Sequence, residues 1–137
     1  MALQYDHDSI VKQLALRIEQ DEKYSLVKYF TPANDAKTDL IGAFYPDITS
    51  LRKEGRQKIM IEVETPYSFE DTDEVRRLES LSNFCKSNAW EFYIACPDEA
   101  TRELTRKKID GRNIHAKSVW TLSDVPFPAF DPAKTIP

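Results

Sequence analysis

Residues 46–65, PDITSLRKEGRQKIMIEVET, decide the fold. They belong to two extended runs, DLIGAFYPDITSLR (39–52) and RQKIMIEVET (56–65), separated by the short glycine-containing connection at Glu54-Gly55. A connection of this kind closes a hairpin, so the two runs are expected to pair antiparallel. A two-residue loop makes Lys53 face Arg56, partner numbers then add to 109, and Asp47 falls opposite Glu62. Alternate side chains of a strand share a face, which puts Glu64 beside Glu62. Three carboxylates are thereby expected at one end of one hairpin.

The flanking sequence supplies the remaining elements. Asp8, followed by Ile10, Val11, Leu14 and Ile18, predicts a capped helix over 9–21, and YSLVKYF (24–30) a short strand. Pro66 ends the third strand because it lacks an N–H. Asp71 with Glu74 has capping-box spacing, and Val75, Leu78, Leu81 and Cys85 form one helical face over 72–87. WEFYIACP (90–97) reads as a buried strand, Asp98 as the N-cap of a helix stopping near Gly111, and HAKSVWTL (115–122) as a last strand. The order αβββαβαβ, a hairpin followed by crossover helices, predicts an α/β domain with a mixed central sheet flanked by helices. Residues 1–122 form that single domain, and 123–137 a proline-rich tail without regular structure.

Composition narrows the function. No segment of the 137 residues approaches the roughly 18 apolar residues of a membrane span, and the first residues lack a signal-peptide pattern, so a cytoplasmic protein is expected. Cys85 and Cys96 read as buried thiols. His7 and His115 read as surface residues, because zinc would need cysteine partners at spacings that are absent. Three glycines exclude phosphate-binding loops. The net charge of −4 hides a polarity, since residues 102–117 are +4 and the remainder −8.

Acidic residues on a strand are most often a solvated face. Here Glu62 and Glu64 interrupt an apolar strand, and like charges two residues apart repel unless something positive lies between them. A cation, or an arginine from elsewhere, is implied. Carboxylate oxygens are the hard donors that Mg²⁺ prefers.

Pro46-Asp47, fourteen residues, then Glu62-Val63-Glu64 on a strand resembles the signature of the PD-(D/E)xK nuclease superfamily, and the order of elements over about 8–97 is similar to its restriction-endonuclease-like αβββαβ core, here with an additional helix and strand. The resemblance implies a Mg²⁺-dependent nuclease, with Mn²⁺ as substitute, that hydrolyses DNA, or RNA. Asp47 and Glu62 would ligate the metal together with the Val63 backbone carbonyl, and Glu64 and Glu19 are the further carboxylates in play. It also allows a homodimer or a larger protein partner.

Glu64 departs from the pattern, which has Lys there. Three explanations stand open. Glu64 acts as ligand or general base itself; a basic residue has migrated, from Arg76, Arg77, Lys58 or Lys86; or activity is lost, leaving a module that binds nucleic acid or a protein partner. Arg52, Lys53, Arg56 and Lys58 at the hairpin tip, with Arg106, Lys107, Lys108 and Arg112, either straddle a nucleic-acid backbone on either side of the acids or, at the tip, are the charge that edge hairpins carry against aggregation. Tyr67 and Phe69, just after the acids, either stack on a base or pack their loop onto the domain.

Overall fold

The computed structural model describes residues 6–127. Its elements are α1 (His7–Glu19), β1 (Tyr24–Tyr29), β2 (Ile48–Arg52), β3 (Gln57–Val63), α2 (Glu74–Asn88), β4 (Glu91–Cys96), α3 (Glu99–Ile109) and β5 (Ser118–Thr121). One five-stranded sheet runs β1-β2-β3-β4-β5, antiparallel through β3 and parallel from β3 to β5. The expected α/β class, with a mixed sheet flanked by helices, is the one observed.

The hairpin register is also the one expected. Ile48 faces Ile61, Thr49 faces Met60 and Arg52 faces Gln57, so every pair adds to 109. Gly55 turns the chain at φ 74°, a backbone region that costs glycine nothing. This register fixes what each face of β3 buries. Ile59, Ile61 and Val63 point to one side, where Ile10, Val11, Leu14 and Ile18 of α1 cover them. Met60 points to the other, against Leu78, Leu81 and Cys85 of α2. Both crossover helices pack on this second side, α3 through Ile109. The sheet is therefore covered on both faces, as parallel strands require. Cys85 and Cys96 are buried free thiols, and among the described residues no helix is long and apolar enough to cross a membrane.

Boundaries differ from the sequence expectation where local hydrogen bonds outweigh periodicity. Asp6, not Asp8, caps α1, accepting from Asp8 N, while Asp8 turns to His7. The Asp71/Glu74 capping box does not form: Asp71 accepts from Asp73 N at 2.9 Å, and α2 starts only at Glu74. The long run 39–52 yields a strand only from Ile48, because Gly42 (φ 61°) folds residues 41–44 into a tight bridge and Pro46 cannot donate to the ladder. Of the tail, Val125 and Phe127 are buried in the α1-side core, Phe127 edge-on to Tyr24 and Trp120. Residues 128–137 lie outside the described residues.

Two irregularities mark the sheet. In β1 the register shifts between Ser25 and Lys28, and Leu26 sits there at φ 53° with 70% of its surface exposed. At the far end of β4, Glu91 gathers Arg52 at 3.0 Å, Lys117 at 2.6 Å and the Tyr93 hydroxyl at 2.8 Å, tying β2, β4 and the approach to β5 together. Partial burial works against its charge, but the bonds from Lys117, Tyr93 and Arg52 prevail and hold the Glu91 carboxyl at about 2.

Two outcomes follow from these positions. Ala89, the residue after α2, holds a left-handed φ of 58° that glycine adopts without strain; Ala89→Gly is expected to raise unfolding free energy by about 1 kcal/mol in urea titration. Because the folded Glu91 carboxyl lies below its ordinary 4.5, its contribution is complete above about pH 4.5 and lost as pH falls through about 2. Glu91→Gln is expected to lower stability at neutral pH and to flatten the loss between pH 4.5 and 2, read as Tm against pH.

Candidate active site

The carboxyl end of β3 and the start of β2 meet where Asp47 and Glu62 face each other. Asp47 N donates to Glu62 Oε2 at 2.6 Å, and Val63 N returns a bond to Asp47 Oδ2 at 2.8 Å. Asp47 is 2% exposed, and Glu62 and Glu64 are fully buried. Carboxylates in such a place must be paired, hydrogen-bonded or neutral.

Arg77 supplies the pairing. It lies on the sheet-facing stripe of α2, four residues before Leu81, and places one guanidinium nitrogen on Glu62 Oε1 and the other 3.3 Å from Asp47 Oδ1, with a further bond to the Tyr45 carbonyl at 3.1 Å. Glu74 sits on the same guanidinium at 3.5 Å. Of the basic residues the sequence offered, Arg77 is the one brought to the acids. Arg76, Lys58 and Lys86 are exposed, and Lys58 lies over the Trp90 ring instead.

His7, expected at the surface, is a member of the site. The antiparallel run of α1, β1 and β2 brings the helix start to the start of β2, and both ring nitrogens meet carboxylates, Nδ1 on Asp8 at 3.0 Å and Nε2 on Asp47 at 3.1 Å. Burial opposes its charge, yet Asp47 and Asp8 together push its pKa up to about 10. His7 is thus an imidazolium donating to both. Burial alone would raise Asp47, but His7, Arg77 and the Val63 N–H hold it below the usual carboxylate range. Burial and the Asp47 charge push Glu62 up, with Arg77 opposing.

Glu64 stands apart. No cation or backbone N–H meets either of its oxygens, and burial, then a side-chain hydrogen bond with the Glu74 carboxyl, raise it well above the ordinary carboxylate range. Among the described residues no group of three His, Cys, Asp or Glu side chains forms a ready-made metal cage. Arg77 and His7 hold the compensating charge. The donors themselves, carboxylate oxygens, are nonetheless of the kind that Mg²⁺ and Mn²⁺ take.

Above these acids opens a cleft of about 530 Å³, walled by Asp47, His7, Arg77, Phe30, Phe44, Tyr45 and Tyr67 among others. The loop pair Tyr67 and Phe69 divides: Phe69 packs into the α2-side core, whereas Tyr67 is 56% exposed and lines the cleft. Nothing in the spacing of residues 30–45 pointed to this wall.

Other expected site residues are not brought here. Glu19 is exposed at the opposite end of α1, about 18 Å along the helix from His7. The hairpin tip, with Arg52, Lys53, Arg56 and Lys58, lies about 17 Å along the strands from Asp47. Arg106, Lys107 and Lys108 occupy the last turn of α3 and Arg112 follows it, toward the same far end. The basic residues therefore do not straddle the acids; they gather at the other end of the sheet, where Arg52 and Lys117 meet on Glu91.

Arg77→Met leaves buried carboxylates without their cation. The expected loss is about 3–5 kcal/mol in urea unfolding at pH 7, and a loss below about 1 kcal/mol would show that Arg77 does not hold the site together.

Comparison with known proteins returns no matching family model, no matching curated protein and no matching solved structure.

Proposed function

We propose that this chain is a metal-dependent nuclease with a restriction-endonuclease-like core, a variant of the PD-(D/E)xK pattern that cleaves phosphodiester bonds in DNA. The observation that carries the reading is Glu64, fully buried at the end of β3 beside the Asp47–Glu62 pair with neither a cation nor a backbone N–H on its oxygens. Burial and the Glu74 carboxyl favour its neutral form. A divalent cation beside it would favour the ionised form instead.

Asp47 and Glu62, with Glu64 or the Val63 carbonyl, would hold such an ion, which supplies Lewis acidity and lowers the pKa of a bound water. Asp47 presents its carboxylate to the cleft while Val63 N fixes its orientation. Arg77, on the cleft wall, provides the positive charge that the pattern usually places on Lys, and it can turn toward a phosphate oxygen as the carboxylates take another cation. Glu64, once a bound cation favours its ionised form and draws it toward the cleft, would accept the proton of the attacking water; the water oxygen would bond to phosphorus, the bond to the leaving oxygen would break, and that oxygen would take a proton from solvent.

One observation favours the second reading, a nuclease-fold module that binds without cutting. Both oxygens of Asp47 are already occupied, Oδ1 by Arg77 and Oδ2 by His7 and Val63 N. A fully compensated cluster can serve architecture alone.

Incubating the protein with labelled DNA in Mg²⁺ or Mn²⁺ separates the two. Cleavage is expected, with Asp47→Ala and Glu62→Ala reducing it at least about a hundred-fold and Glu64→Gln nearly as much. Equal turnover by wild type and variants, or none on single-stranded or duplex substrate, leaves the binding module standing.

A further inference from the structure

We infer that the cleft receives an unpaired nucleotide of a single DNA strand, its base stacked on Tyr67 and its phosphate lowered toward Arg77, so that duplex DNA is not the substrate. This rests on the nucleic-acid reading of the site but not on its catalysis. Three observations lead there.

The acids lie deep. Asp47 is 2% exposed, Glu62 and Glu64 are fully buried, and of the three only Asp47 reaches the cleft wall. A rigid duplex presents its phosphates on a convex surface, whereas a flexible unpaired strand can lower one into a recess.

The cleft offers little to a row of phosphates. Its cations, His7 and Arg77, are both engaged by carboxylates, and Asp8, Asp71 and Glu74 share the wall. The basic residues of the hairpin tip and of α3 gather at the other end of the sheet. Duplex affinity comes largely from many Lys and Arg contacts along the backbone, and the wall of this mouth offers no row of them.

What the cleft does offer is aromatic surface. Tyr67 stands 56% exposed at its edge, Phe44 lines it, and Phe30 stacks on Tyr45 with ring centroids 4.6 Å apart. Lys37 covers the Tyr45 ring as well, at 5.4 Å. An aromatic face binds any base by stacking, but only when that base is unpaired. The volume of about 530 Å³ lies within the range of sites that enclose one small ligand.

The test is equilibrium binding of the whole chain in Ca²⁺, followed by fluorescence anisotropy. The probes are a labelled oligothymidylate of about twelve nucleotides and a blunt duplex of equal length, with thymidine monophosphate as competitor. The single strand is expected to bind at least about ten-fold more tightly than the duplex. Tyr67→Ala is expected to weaken it about ten-fold, while Tyr67→Trp retains it. Tyr67 is exposed, so neither change threatens the fold. Equal or tighter binding of duplex, an unaffected Tyr67→Ala, or no binding of any probe overturns the inference. So does thymidine monophosphate competing as strongly, mole for mole, as the unlabelled strand, which would make a free nucleotide the ligand. Tyr67-dependent binding without cleavage sustains this inference while defeating the nuclease reading, and efficient duplex cleavage does the reverse.

Discussion

The structure turns on one guanidinium. Asp47, Glu62 and Glu64 end two neighbouring strands almost without exposure, and burying that much negative charge is unfavourable unless a cation lies among them. Arg77 is that cation in the conformation described, and it reaches the acids only because α2 starts close above the end of β3. The ion pairs thus fix the angle at which α2 leaves the loop, and with it the seat of Leu78, Leu81 and Cys85 on Met60. A side chain that neutralises the site also orders half the core.

The same residue defines the chemical choice. A divalent ion would have to compete with a bound arginine for Asp47 and Glu62, and would meet at Glu64 a carboxyl whose neutral form burial and Glu74 favour. Ligand binding and rearrangement of Arg77 are then one event. His7 adds to this. As an imidazolium between Asp8 and Asp47, it ties the first helical turn to the acids, so anything that alters Asp47 is felt at the start of α1.

What could be read from the sequence follows the reach of each physical signal. A two-residue turn and an alternating pattern set the β2–β3 register completely, since a slip by one would send Ile59 and Ile61 to the wrong face. The need for a positive group beside Glu62 was equally legible, but not its place: Arg77 bridges Asp47 and Glu62 and makes no bond to Glu64, and the sequence left Arg76 and Arg77 both open. His7 was not legible as a site residue, because its contact with Asp47 spans 40 positions and depends on how α1 packs. The cleft wall was missed for a similar reason: residues 41–44 fold through a glycine with positive φ where a longer strand was expected. Charge clustering gave the composition of the basic surface but not its end of the sheet.

Strand β1 forms one edge of the sheet, and an edge of regular, unpaired backbone is a template on which a second chain can add. The bulge at Leu26 spoils the template. Two residues there oppose one on β2, and the left-handed turn breaks the even spacing of outward N–H and C=O groups. An incoming strand could match it for only a few residues before losing register. The strained backbone at Leu26 thus works against sheet-to-sheet growth along this edge.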